Sequence, residues 1–318
     1  MNETPMWIYR TALFCLPLVV AGYNLSVASA AALVLLMLLW RWSITLTRLI
    51  LPARKQPELV LSSISASHFV EKVRWCLDRL GLAYQERPAG GTLGVFLTGR
   101  TVPVLKFKTG LVWSSIGNSA EILSYLWGRY SAELPEKAEF LKPSAERREF
   151  EHQLDRYGAN LQVWVYYHIL PHRQLTLKAW GAEDPGLPLY QRWMLQLCFP
   201  VQRFLIRKAF RISDINYAKA VSHIEKLLSD TETRISGNGA SVLGDQEPNY
   251  TDFAFAAFSG LWLQPEAYGG GKARATRIEP EQVPNAMRAD IQRWMETFPL
   301  STAFVSSLYE EQRLPATD

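Results

Sequence analysis

Apolar and polar positions follow more than one period along residues 58–130. The segment opens with a short apolar run, and apolar side chains then recur at helical spacing over residues 69–80. Gly81 follows the last of these positions, where a helix is expected to end. Two further apolar runs flank a turn at 108–110, and a second helical pattern covers 118–130. These patterns predict a strand, a helix, a weakly patterned middle part, a two-stranded hairpin and a closing helix.

The pattern becomes helical after a short charged segment and stays helical to the end of the chain. Residues 133–144 hold two prolines among charged side chains, which is typical of a linker between domains. Beyond them, aromatic and aliphatic side chains recur three or four positions apart. The clearest series consists of Phe150, Leu154, Tyr157, Leu161, Trp164 and Tyr167. We therefore expect two domains, residues 58–130 and residues 145–314, of which the second is all helical.

The N-terminal segment lacks charged side chains over most of its length. Residues 11–40 contain no Asp, Glu, Lys or Arg, and one membrane-spanning helix needs about 20 apolar residues. The sequence Gly-Tyr-Asn at 22–24 is a turn signal inside this run. We predict that residues 1–51 form a membrane hairpin of two transmembrane helices, 6–23 and 25–44. Positive charges on both flanks, with none at the tip, place both ends and the attached domains in the cytoplasm.

Two alternatives to this hairpin remain open. Ala28, Ser29 and Ala30 resemble a signal-peptidase site, although a second long apolar run follows them. Each predicted helix is also barely long enough to span a membrane, so the hairpin could instead enter only one leaflet. Three arrangements of the N-terminal segment therefore stay open: a transmembrane hairpin, a cleaved signal peptide and a hairpin that enters one leaflet.

Composition narrows the range of partners. With 318 residues, 48% of them hydrophobic and 20% charged, the chain has an ordinary globular composition. The net charge of +4 is mild and no basic stripe with interleaved aromatic residues occurs, so we expect no nucleic-acid partner. The three cysteines lie far apart and form no CxxC pair, which favours a reducing, cytoplasm-facing location. No metal site is predicted, because Pro171 stands between His168 and His172 and the sequence suggests no third ligand.

Ser67 is the first candidate for chemistry. It stands directly before the first helical segment, where its hydroxyl can cap free backbone N–H groups. The start of a helix is electropositive and attracts an anion. A thiol that is held there has a lowered pKa, so more of it is present as the nucleophilic thiolate. Ser67 is therefore either a helix cap alone or a cap that also serves a bound thiol.

Three segments, in this order and at this spacing, resemble the glutathione transferase superfamily. They are residues 67–77, 101–105 and 118–126, and a helix-rich half follows them. Two further likenesses lie at 249–254, where an Asn cap and an acid three residues later start a buried helix, and at 294–313, which resembles the closing helix of one bacterial branch. The resemblance implies a thioredoxin-like α/β domain followed by an all-helical domain, here preceded by two membrane helices. It also implies a bacterial inner membrane as the location.

The resemblance further implies where glutathione binds. In the family, the proline that corresponds to Pro103 follows a cis peptide bond, and the residue before it, here Val102, pairs through its backbone with the cysteinyl part of glutathione. Asn118 and Ser119 correspond to the position that holds the γ-glutamyl end. Ser67 is then the expected catalytic residue, which donates a hydrogen bond to the glutathione thiolate.

Two departures from the family pattern bear on the γ-glutamyl site. Asn118 is neutral, whereas the family usually has an acidic residue there. The span from Gly110 to Ser119 is longer than usual, and Trp113-Ser114-Ser115 is a rival match for the same motif. We favour Asn118 and Ser119, because the helix residues after them then fall in the family's register. Ser115 remains the second choice.

The leading hypothesis is a membrane-anchored glutathione transferase that uses glutathione as co-substrate and conjugates it to hydrophobic electrophiles. Tyr166 and Tyr167 are candidates for the second-substrate pocket, with a place in the helical core as the alternative. The hairpin implies membrane lipid as a partner, and the family implies a homodimer. The alternative is a catalytically inactive transferase-fold scaffold or interaction protein, which the neutral Asn118 favours. Glutathione-dependent reduction or isomerisation is not separated from conjugation by the sequence.

Overall fold

The structure is a computed structural model that describes most of the chain. The described residues are 26–50, 57–91, 102–109, 112–237 and 239–313. The chain divides into two compact units, Met1–Leu59 with Lys106–Ser115, and Val60–Leu105 with Ile116–Asp318. Among the predicted site residues, Ser115 belongs to the first unit and the others to the second.

The strands of the described part form one four-stranded sheet. In chain order they are β1 (Glu58–Ser63), β2 (Tyr84–Pro88), β3 (Val104–Thr109) and β4 (Val112–Gly117). Their order in the sheet is β2-β1-β3-β4. The apolar run of β1 is buried at three consecutive positions, as is typical of an inner strand that is covered on both faces.

The strands run in directions that bring several of their ends to one edge of the sheet. Lys108, near the end of β3, lies 3.6 Å from Glu58 at the start of β1, so these neighbouring strands are antiparallel. Only two residues separate β3 from β4, and such a short connection requires a second antiparallel pair. The end of β1, the start of β3 and the end of β4 therefore lie at the same edge.

Two helices follow the ends of these strands. They are α2 (His68–Arg79), directly after the β1 connection, and α3 (Ser119–Tyr130), directly after β4. The apolar face of α2, formed by Val70, Val73 and Leu77, is completely buried. It packs on α3 and on a helix of the C-terminal half. The pattern of residues 69–80 is thus explained by burial of one continuous face.

The C-terminal half is built from helices. They are α4 (Pro135–Ala138), α5 (Ala145–Ile169), α6 (Arg173–Ala179), α7 (Leu189–Leu197), α8 (Phe199–Ala209), α9 (Asp214–Gly237), α10 (Tyr250–Leu263), α11 (Asn285–Thr297) and α12 (Pro299–Ser307). The central helix is α10, which is apolar on all sides and packs on α2 and α5. The capping box of Asn249 and Asp252 that the sequence indicates is present at its start. The expectation of a thioredoxin-like sheet followed by a helical domain is confirmed.

The N-terminal segment differs from the expectation. A single helix, α1 (Val27–Ile50), replaces the predicted second membrane helix, while the first predicted membrane helix, 6–23, lies outside the described residues. None of the helices that the structure describes combines the length and the apolar character that crossing a membrane requires.

The reason is the position of the charges. Because α1 continues past residue 44, Arg41 and Arg48 lie within the helix and not beyond its ends. The part before Arg41, residues 27–40, is about 21 Å long at ~1.5 Å per residue, shorter than a hydrocarbon core of ~30 Å. The second predicted membrane helix is therefore not supported, and the prediction of a bacterial inner-membrane location is wrong. Membrane lipid as a partner stays a prediction.

Candidate functional site

Ser67 caps α2 at the edge where β1 ends. Its Oγ accepts a hydrogen bond of 3.4 Å from the backbone N–H of Val70, and its own N–H donates to the carbonyl of Ile64 at 2.9 Å. The cap uses a lone pair of Oγ, which leaves the hydroxyl proton available to a further acceptor. The side chain is half-buried, so a ligand at the start of α2 can reach it.

The connection from β2 to β3 ends in a cis peptide bond between Val102 and Pro103. Pro103 is buried, Val102 is half-buried, and β3 begins at the next residue. Because β3 runs antiparallel to β1, this bond lies at the same sheet edge as the segment that leads to Ser67. The resemblance implied a cis bond at this position, and the structure has one.

The start of α3 supplies the third part of the edge. Asn118 caps the helix, with its Oδ1 accepting from the N–H of Ala120 at 3.1 Å. Its φ of 68° lies in the left-handed region, which Asn tolerates better than most residues do. Asn118 is exposed and Ser119, the first residue of the helix, is buried. The edge thus has two helix N-termini, each with free N–H groups and a positive end of the helix dipole.

Ser115, the second candidate for this role, lies inside β4 and is half-buried. It is therefore in a strand, without the N–H groups that a helix start leaves free. Its part in a site stays a prediction.

Side chains from distant parts of the second unit hold the segment before Ser67. The hydroxyl of Ser65 donates to Asp184 Oδ2 at 2.9 Å, and both residues are buried. The guanidinium of Arg74 donates to the carbonyl of Ser65 at 3.0 Å, and the hydroxyl of Tyr268 donates to the carbonyl of Ala66 at 3.3 Å. The approach to Ser67 is thus fixed by one residue of α2 and two of the helical half.

The pKa values of Arg74 and Tyr268 keep both side chains in the protonated form that donates these hydrogen bonds. Burial alone lowers the pKa of Arg74, but the charge and hydrogen bonds of Glu86 outweigh burial and raise it above its usual value. Burial raises the pKa of Tyr268 well above its usual value, so its hydroxyl keeps the proton that it donates. Sequence reasoning missed Asp184 and Tyr268, because their partners lie more than a hundred positions away.

Tyr166 and Tyr167 lie near the end of α5 and take part in packing. The ring centroid of Tyr166 is 5.2 Å from that of Phe210, beside a buried apolar cluster of the helical half. Tyr167 stacks on Tyr217 at 4.1 Å and donates its hydroxyl to Asp214 at 2.9 Å. A role in a second-substrate pocket stays a prediction for both.

The thiol of Cys76, near the end of α2, is of limited use for chemistry at this edge. Burial raises the pKa of Cys76 to about 12, which keeps this thiol protonated and inert. Within the part of the chain that the structure describes, no cluster of three or more His, Cys, Asp or Glu side chains is placed to hold a metal ion. The edge offers a hydroxyl, a cis peptide bond and two helix N-termini, and helix N-termini attract anions and lower the pKa of a thiol.

The fold of the chain is therefore a thioredoxin-like domain, which carries this edge, followed by a helical domain. No family model and no curated protein matches the chain.

Solved structures that the chain is similar to include glutathione transferases and a maleylacetoacetate isomerase. A glutathione transferase family member from Pseudomonas fluorescens with two glutathione bound is 14% identical, over 82% of this chain and 92% of that one, with a TM-score of 0.44. A glutathione S-transferase from Methylobacterium radiotolerans in complex with glutathione sulfonate is 17% identical, over 82% and 96%, with a TM-score of 0.44. A maleylacetoacetate isomerase from Anaeromyxobacter dehalogenans is 19% identical, over 80% and 93%, with a TM-score of 0.38.

Proposed function

We propose that the chain binds glutathione at this sheet edge and conjugates its thiolate to hydrophobic electrophiles. One observation carries the proposal. The half-exposed hydroxyl of Ser67, the cis bond before Pro103 and the start of α3 lie at one edge of one sheet, as derived from the strand directions. Glutathione has a thiol and carboxylates, which are the groups that such an edge can stabilise.

Each group at the edge has a distinct role in this proposal. Ser67 donates a hydrogen bond from its hydroxyl to the thiolate, which lowers the pKa of the bound thiol. The backbone of Val102 pairs with the cysteinyl part. The Nδ2 amide of Asn118 and the N–H groups near Ser119 hold the γ-glutamyl carboxylate. A neutral Asn118 suits a carboxylate, because it can donate hydrogen bonds and does not repel the negative charge.

The reaction needs no oxidant, reductant or metal ion besides the two substrates. The thiol proton passes to solvent, and the sulfur lone pair forms a bond to the electrophilic carbon. A leaving group departs with its bonding electrons, or, in an addition, the electron pair of the attacked double bond takes up a proton.

The two domains have different roles in this proposal. Residues 58–130 bind glutathione, and residues 145–314 contribute the binding site for the electrophile, for which Tyr166 and Tyr167 remain candidates. A homodimer, which light scattering can test, is part of the proposal.

The first experiment measures glutathione binding by calorimetry and conjugation of 1-chloro-2,4-dinitrobenzene. We expect Ser67→Ala to lower kcat/KM by roughly 10- to 100-fold, since a hydrogen bond to a charged group contributes about 1.5–3 kcal/mol. The apparent pKa of the bound thiol in the pH–rate profile should rise as well.

The matched control is Ser144→Ala. Ser144 caps α5 through a 3.1 Å hydrogen bond from Arg147 N–H, so both variants lose a helix cap worth about 1 kcal/mol of stability. Only Ser67→Ala should change the pH–rate profile. If both variants left that profile unchanged, the role of Ser67 would be refuted.

The second experiment separates the two candidates for the γ-glutamyl site. Asn118→Ala should weaken glutathione binding, whereas Ser115→Ala should bind as the wild type does. The opposite result would move the site to Ser115. A folded wild-type chain that binds no glutathione would refute the proposal and favour the scaffold alternative.

A further inference from the structure

An open cavity lies at the surface of the helical half, apart from the residues assigned to glutathione. It has a volume of about 640 Å³ and is bounded by α6, the residues after it, the end of α7 and the segment before α11. This volume is in the range of ~300–1,000 Å³ that is common for small-molecule sites. None of its lining residues belongs to the edge around Ser67.

The charges on the wall of this cavity form a definite pattern. Arg173 and Lys178, both on α6, are its cations, and Glu183 is its carboxylate. The other polar lining side chains include the carboxamides of Gln174 and Gln282, which can donate and accept hydrogen bonds. Two positive charges and one negative charge match a ligand with two carboxylates and one ammonium group.

Contacts within the wall hold the two cations in place. Lys178 Nζ donates to Gln282 Oε1 at 2.7 Å. The guanidinium of Arg173 donates to the carbonyl of Gln196 at 3.2 Å and lies 5.5 Å from the ring centre of Phe199. Arg has five N–H donors and Lys has three, so each keeps donors for a ligand after these contacts. Side chains that are already ordered lose less entropy when a ligand binds.

We propose that this cavity binds a short acidic zwitterion of peptide size, with two carboxylates and one ammonium group. Arg173 and Lys178 take one carboxylate each, and Glu183 takes the ammonium. The carboxamides pair with the peptide groups between the charges. γ-Glutamyl dipeptides have this charge pattern. The inference stands independently of conjugation at the edge around Ser67.

The test is calorimetric titration of the full chain with γ-glutamylglycine at low ionic strength. We expect Arg173→Gln together with Lys178→Gln to weaken binding at least about tenfold, because two charge-assisted hydrogen bonds are lost. The matched control is Lys219→Gln with Lys226→Gln, which removes the same charge from exposed positions of α9 and should bind as the wild type does. Thermal melting checks that all variants fold.

A second experiment tests the carboxylate of Glu183 by comparing two ligands on the same folded protein. N-acetyl-γ-glutamylglycine lacks the ammonium charge, so the wild type should bind it less well than the free amine, and Glu183→Gln should remove that preference. γ-Glutamylglycine carries the same γ-glutamyl group that is assigned above to Asn118 and Ser119, so every titration is repeated in an Asn118→Ala background. The binding that remains in that background belongs to this cavity. The inference is overturned if the wild type binds neither probe, or if the Arg173 and Lys178 double variant binds γ-glutamylglycine as the wild type does.

Discussion

His68 is the first residue of α2 and is enclosed by aromatic rings and by the backbone of α5. Its ring centre lies 4.3 Å from that of Phe69 and 5.0 Å from that of Phe258, and Nε2 donates to the carbonyl of Gly158 at 3.1 Å. A Cβ at residue 158 would lie 2.9 Å from Nε2, so only glycine allows this contact. Burial lowers the pKa of His68 to about 3, although the hydrogen bond to Gly158 raises it in part. His68 is therefore a neutral packing residue beside Ser67.

This histidine makes stability depend on pH. In the unfolded chain it binds a proton below a pKa of about 6.5, whereas in the folded chain it stays neutral down to about 3. The unfolded state thus binds more protons in this window, and the free energy of unfolding falls as the pH falls. We expect His68 to account for a loss of about 2 kcal/mol between pH 7 and pH 5. Urea unfolding of the wild type and of His68→Gln, which keeps a neutral donor, measures this contribution. An equal loss in both proteins would contradict it.

At the scale of elements, α2 is held by buried polar contacts as well as by its apolar face. Lys72, which is completely buried, pairs with Glu151 of α5, and the segment before Ser67 is held by Asp184 and Tyr268. A buried charge that loses its partner is costly, so these pairs favour one position of the helix over nearby alternatives. The position of Ser67 is thus set by the helical half and by its own helix together.

The bond between Ser65 and Asp184 can be tested by a double-mutant cycle in urea unfolding. Ser65→Ala and Asp184→Ala should show a coupling energy of about 1–3 kcal/mol, because the bond joins a buried hydroxyl to a carboxylate. Ser144→Ala combined with Asp184→Ala should be additive, since these residues share no contact among those described. Additive behaviour of Ser65 and Asp184 would show that the hydrogen bond contributes no stability.

At the scale of the whole molecule, the last described residue is tied to the first helix of the sheet domain. Arg313 donates from Nε to Glu71 at 2.8 Å and from Nη1 to Asp78 at 2.8 Å, and all three residues are buried. Burial raises the pKa of Asp78, and the charge of Arg313 opposes this. The guanidinium therefore supplies a counter-charge to Asp78 and shares that of Glu71 with Arg74, whose Nη1 lies 3.8 Å from Glu71 Oε2.

Loss of this guanidinium should be strongly destabilising. We expect Arg313→Leu to lower the free energy of unfolding by about 3–5 kcal/mol at pH 7, because the buried Asp78 loses its ion pair and Glu71 keeps only its 3.8 Å contact with Arg74 among those described. The deficit should shrink at lower pH, where the Asp78 carboxyl, whose pKa burial raises, takes up a proton. Arg313→Lys, which keeps the charge without the planar fork, should be intermediate. A loss below about 1 kcal/mol in Arg313→Leu, measured by urea unfolding, would refute this role.

Local patterns predicted the sheet domain well. The helix expected over 69–80 is α2, the hairpin around 108–110 is β3 and β4, and the helix expected from 118 is α3. These elements follow from a period of apolar positions and from cap residues, which act within a few positions of the chain. The N-terminal segment shows where local patterns fail. The absence of charge before Arg41 predicted a membrane-spanning helix, but α1 continues through Arg41 and Arg48 and is not such a helix.

The sequence by itself determined the thioredoxin-like order of elements, the helical second half and Ser67, Pro103 and Asn118 as positions where helices and a strand begin. Only the tertiary structure decided which distant side chains hold those positions. Asp184, Tyr268 and Arg313 reach their partners across more than a hundred residues, and no local period records such a pairing. Contacts across the sheet set the strand directions, and these directions bring the starts of α2, β3 and α3 to one edge. The physical reason is that caps and apolar faces are local properties, whereas compensation of buried charge depends on the packing of the whole chain.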